Sequence, residues 1–128
     1  MIKEYIKILI ILLLIDIPMI TYFNKNMYFS MFNKINNNEN MLINNNKIIS
    51  ASIAYLLLSY SLYHFIIVKK SSLNDAFILG LIIYGIYNTT NYFTINNYSL
   101  KVAIIDTLWG GFLFYLITYL FNLINSIK

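Results

Sequence analysis

The chain has 128 residues, room for one domain, and 59% of them are hydrophobic while only 11% are charged. A water-soluble domain carries about a quarter charged residues, so this composition excludes an ordinary soluble globule. The net charge of +4 rests on nine lysines spread thinly between apolar runs, with no arginine, which excludes the clustered basic face of a nucleic-acid binder. The lack of cysteine removes disulfides, thiolate metal sites and cysteine nucleophiles together.

Four apolar stretches follow in chain order, each close to the ~20 residues a helix needs to cross about 30 Å of hydrocarbon. The first, about Tyr5 to Phe23, reads "YIKILIILLLIDIPMITYF". It is too long for a signal peptide and no small-residue cleavage site follows it, so a retained helix is expected. Pro18 removes a backbone donor and is expected to kink this helix near the carbonyl of Leu14. Residues 24–47, with the run "NKINNNENMLINNNK", read as a polar, Asn-rich loop with no reason to pack.

The second helix is expected over about Ile48 to Val68, followed by the tight link "KKSSLND", in which Ser72 or Asn74 is a natural helix N-cap. The third is expected over about Ala76 to Phe93. The link "TINNYSLK" after it contains Asn97-Tyr98-Ser99, a match to the glycosylation sequon that is common by chance. The fourth helix runs from about Val102 to Ile124. None of these runs shows the alternation of a membrane strand, and open sheet edges cannot face lipid.

The expected architecture is therefore all-α: one integral membrane domain over residues 1–128, an antiparallel up-and-down bundle of four transmembrane helices. Lys3, Lys7, Lys69, Lys70 and Lys128 fall on the side of the termini, and Lys25, Lys34, Lys47 and Lys101 on the other. The positive-inside rule then favours cytosolic termini by a single lysine.

Helix spacing places polar residues of all four helices in one slab. Asp16 lies about seven residues from the far end of the first helix, roughly 10 Å deep, and Asp106 about five residues into the fourth, roughly 7 Å deep. Asn88 reaches similar depth in the third helix, with Asn91 nearer the surface, and Ser52 and Tyr55 fall there in the second. Tyr84, Asn88 and Asn91 share one helical stripe; Asp106, Trp109 and Gly110 share another. A lipid-facing aspartate costs several kcal/mol, so the Asp106 stripe must face the bundle, where Gly110 and Gly111 allow a close helix approach.

An intramembrane carboxylate points to a functional site; the plainer alternative is a buried Asp hydrogen-bonded to Asn88, Asn91 or the indole and joining helices. Two close carboxylates would share a proton, which suits proton coupling or acid–base chemistry. Trp109 and the tyrosines equally suit headgroup-level anchors. His64 lies toward the terminal side, far from the layer, and as the chain's sole histidine makes no metal site. No phosphate loop, nucleophile elbow or zinc pattern is present, and no cofactor is expected.

The segment "YGIYNTTNYFTINNYSLKVAIIDTLWGGF", Tyr84 to Phe112, resembles the hallmark half of the small membrane proteins grouped as domain of unknown function 2177. In that family the third helix ends in Tyr-Asp/Asn-x-Thr-Asn, here Tyr87, Asn88, Thr90 and Asn91. The fourth carries Asp-x-x-Trp-Gly, here Asp106, Trp109 and Gly110, and the first tends to carry an aspartate, here Asp16. Two positions depart: Asn88 stands where the family is often acidic, and "DIPMI" lacks the aromatic that usually follows the first aspartate. The resemblance implies a four-helix integral membrane protein without an established activity.

The leading functional expectation is a non-enzymatic membrane protein with a polar pocket open toward the long-loop leaflet, suited to a lipid headgroup or a small polar molecule. Asp16, Asn88, Asn91, Asp106 and Trp109 are its expected lining, supported by Tyr55, Tyr84, Tyr87, Thr90 and Gly110. One alternative is an enzyme or proton-coupled carrier acting through Asp106 and Asp16. A carrier of four helices would need to oligomerise to enclose two gates. The other is a purely structural or partner-binding protein.

Overall fold

The computed structural model describes residues 1–37 and 43–127, and these are helical with short connections and no strand among them. In order they form α1 (Ile2–Pro18), α2 (Lys25–Ile35), α3 (Asn45–Leu62), α4 (Leu73–Thr94) and α5 (Leu100–Ser126). Single π-helical segments, Met19–Phe23 and Tyr63–Ile67, prolong α1 and α3 without a break. The helix starts are set by local chemistry. Asn44 accepts the Lys47 amide at the head of α3, and Ser99 accepts the Val102 amide at the head of α5. Ser72 and Asp75 form a reciprocal capping box at the head of α4.

Among the described residues three continuous helices are long and apolar enough to cross a bilayer: Ile2–Phe23, Asn45–Ile67 and Leu100–Ser126. The fourth expected span, α4, has 22 residues, about 33 Å at 1.5 Å per residue. Its C-terminal half carries Asn88, Thr89, Thr90 and Asn91, and α4 is not among those three.

Successive long helices run antiparallel. Tyr55 meets Asp16 while Tyr63 meets Tyr5, Asn88 meets Asp106 while Gly80 meets Gly110, and Lys7 meets Asn125 while Asp16 meets Trp109. Helices α4 and α5 pack most intimately, along most of their length, and α1 lies against both α3 and α5. The reason is small residues at the crossing: a Cβ on Gly80 would sit 2.2 Å from the Gly110 carbonyl oxygen, and one on Gly110 would run into the Tyr84 ring.

The apolar core occupies the terminal-side half, where Ile8, Leu12, Leu62, Ile66, Ala76, Leu113, Phe114, Ile117 and Phe121 are buried together. The long-loop half is built differently, around polar side chains.

One expectation is corrected. The stretch read as an unpacked Asn-rich loop over 24–47 opens with a helix, α2, that packs. Met27, Tyr28, Met31, Phe32 and Ile35 recur at helical spacing and form one apolar stripe, with Tyr28 and Met31 buried against Tyr98, Val102 and Ala103. The middle of that stretch, 38–42, and Lys128 of the orientation count lie outside the described residues. Through Pro18 the first span continues to Phe23, as its apolar length implies. The helix widens into the π segment just after the proline, which accommodates a residue without a backbone donor.

Candidate functional site

The polar layer consists of two hydrogen-bonded groups, each centred on a carboxylate. Asp16, on the last turns of α1, is 3% exposed. Its two oxygens are taken separately: Trp109 Nε1 donates to Oδ1 at 2.8 Å, and the Tyr55 hydroxyl donates to Oδ2 at 2.8 Å. This group therefore ties α1 to α3 and α5. The π segment that follows Pro18 begins three residues after Asp16, and such segments frequently occur beside functional positions.

Asp106, one turn before Trp109 on α5, is 8% exposed and serves the other side of the bundle. Asn88 Nδ2 donates to its Oδ2 at 2.7 Å, and the Tyr28 hydroxyl donates to its Oδ1. Asn88 is fully buried and uses its whole amide: Nδ2 also donates to the Tyr84 carbonyl at 2.9 Å, and Oδ1 accepts the Tyr98 hydroxyl at 2.8 Å. This second group joins α2, α4, α5 and the α4–α5 link. All four carboxylate oxygens of the layer thus have their own side-chain donor, each from a different residue.

Burial, and then the bond to Asp106, hold the Tyr28 hydroxyl well above the ordinary phenol range. Burial pushes Tyr98 up to about 12, against the hydrogen bond with Asn91, which pulls it down. Among the described residues every buried side-chain nitrogen and oxygen has a hydrogen-bond partner.

Of the residues singled out in the sequence, the layer brings together Asp16, Asn88, Asp106, Trp109 and Tyr55. Tyr84 and Gly110 support it by packing, the ring on the glycine and edge-on to Phe114. Asn91 lies at the rim, beside Tyr98. Tyr87, 56% exposed, and Thr90, also exposed, take no part in its hydrogen bonds. Ser52 is exposed and bonds back to its own helix at Ile48.

Two members escaped sequence reasoning, Tyr28 and Tyr98. The apolar stripe of α2 carried the signal for Tyr28. Nothing in the link "TINNYSLK" distinguishes Tyr98 from its neighbours, because its burial depends on α2 folding over it.

Two open clefts adjoin the layer. One, of about 1180 Å³, lies between α1 and α3, with Leu9, Leu13, Ile17, Ala51 and Leu56 along it and Asn44, Asn46 and Lys47 at its end. Tyr55 lines this cleft and carries the hydroxyl that reaches Asp16. The other, of about 620 Å³, lies between α2 and the start of α5, and Tyr98 forms part of its wall.

Fold and layer together define an all-helical integral membrane protein whose long-loop half is organised by two buried carboxylates. The chain belongs to the family described as "Predicted membrane protein (DUF2177)", which matches residues 1–122. No curated protein and no solved structure matches it.

Proposed function

We propose that this is a non-enzymatic multi-pass membrane protein that holds a lipid in the cleft between α1 and α3, with the polar layer as the scaffold of that site. The observation that carries this reading is the cleft's profile. It is apolar along its length and polar at the end that α3 begins from, which matches acyl chains below a headgroup, and its volume is at or above the ~300–1,000 Å³ of small-molecule sites. Tyr55 couples the cleft to Asp16, so a lipid seated there bears on the layer through one hydroxyl.

We also take α4, from about Ala76 to Phe93, as a fourth span. It follows α5 closely along the bilayer-crossing length, and its polar end is the end that α5 and α2 cover. The burial of Asp16 and Asp106, 3% and 8% exposed, with a donor on every oxygen, supports a scaffolding role for them over substrate chemistry.

The test is native mass spectrometry of the detergent-purified chain. Wild type is expected to retain lipid through delipidation, and Ala51→Phe, which fills the cleft from an exposed position, is expected to lose it with its helical circular dichroism unchanged. Equal lipid retention by the two proteins would refute the reading.

A second reading, a purely structural or partner-binding protein, is favoured by one observation: the layer satisfies its own buried polar groups without help. Under that reading neither protein retains lipid.

A further inference from the structure

The second cleft has a chemistry unlike the first. Its walls include Lys34 from the last turn of α2 and Lys101 from the first turn of α5, two exposed lysines that helices far apart in sequence bring to one concavity. Around them stand Asn26, Ser30, Asn97 and Ser99, a set rich in hydrogen-bond donors, and no Asp or Glu is among the described lining residues. Neither lysine forms an ion pair with a described residue. Two like charges facing one cleft repel, and an anion between them relieves that repulsion. The positive end of α5 adds to their field without replacing them.

Position fixes the kind of anion. α2 follows the first span and precedes the second, so the cleft lies where the long-loop leaflet meets water, at the depth of phospholipid phosphates. We propose that this cleft is a phosphate-binding site, filled by a phosphate group of either an anionic lipid headgroup or the aqueous phase. The site is separate from the α1–α3 cleft and does not depend on it. Its floor is Tyr98, whose hydroxyl is committed to Asn88, so an occupant also braces α2 over the Asp106 group.

The experiment competes phosphatidylglycerol against phosphatidylcholine for the detergent-purified full chain, read by native mass spectrometry, with inorganic phosphate titrated calorimetrically in parallel. Both arms are run on an Ala51→Phe background, so failure of the lipid reading above leaves this test intact. Wild-type cleft residues are expected to prefer phosphatidylglycerol, and Lys34→Gln or Lys101→Gln each to reduce that preference about fivefold. Lys25→Gln removes a charge from the same side but outside the cleft, over the Phe29 ring, and is expected to change nothing. Saturable binding of inorganic phosphate, lost in Lys34→Gln/Lys101→Gln, without lipid preference, would assign the site to free phosphate. Equal binding by wild type and that double variant in both arms, or an equal effect of Lys25→Gln, would overturn the proposal.

Discussion

Asp16 and Asp106 have the same side chain and opposite surroundings in the bundle. Asp16 is held by an indole and a phenol, Asp106 by an amide and a phenol, and each holds a different set of helices. Tyr28→Phe removes a donor from Asp106 with little change of shape, so its cost is that of one hydrogen bond to a carboxylate, about 1.5–3 kcal/mol. Thermal unfolding in mild detergent measures this, and α2 amides should lose hydrogen-exchange protection before those of α5. At the water-facing end of α4, Ser72 donates from both hydroxyl and backbone to Asp75 and holds its carboxyl below the usual range. A carboxyl depressed in the folded state adds stability above its unfolded value, and that stability disappears as pH falls through the folded one. The difference in melting temperature between wild type and Asp75→Asn should therefore stay constant from neutral pH to about pH 4 and shrink below it.

At the scale of elements, the α4–α5 pair is the tightest contact and the least tolerant of added volume. Gly80→Ala drives a methyl into the backbone of Gly110, which no side-chain rotation can relieve, so a loss of about 1–3 kcal/mol is expected on thermal unfolding. Gly85→Ala is the control, since its new methyl would meet only the Thr107 side chain at 3.5 Å, an ordinary contact, and should be close to neutral. Helix α2 is the opposite case. It touches the rest chiefly through Tyr28, Met31 and their neighbours, and it covers the Asp106 group rather than supporting the apolar core. Its existence was written in the spacing of Met27, Tyr28, Met31, Phe32 and Ile35. A flanking run of asparagines masks that stripe, because loop-like composition outweighs one short amphipathic turn pattern. The long helices were legible for the reverse reason: their apolar length far exceeds what any water-exposed segment carries.

Over the whole molecule, depth along antiparallel helices is arithmetic, so Asp16, Tyr55, Asn88 and Asp106 could be placed in one slab from residue numbers alone. Which of them touch could not, because rotation about each helix axis is set by packing. Tyr87 and Thr90 share a sequence motif with Asn88 yet face outward, and Tyr98 enters the layer only through the fold of the link and α2. The proposed fourth span, α4, makes a direct prediction. Single cysteines introduced at Ser71 and Asn96, in a chain with none of its own, should label from opposite sides of sealed vesicles. Labelling of both from one side would remove α4 from the membrane. With the one-lysine excess on the terminal side, Ser71 is expected to be the cytosolic one.

The central claim is that the two carboxylates act as acceptors that bind the helices together. A double-mutant cycle between Tyr28→Phe and Asp106→Ala, read by thermal unfolding in mild detergent, isolates the bond between them. A coupling above ~1 kcal/mol is expected, since each substitution removes the same bond. Additivity within about 0.5 kcal/mol would mean that Asp106 does not hold α2, and the structural role assigned to the layer would fall.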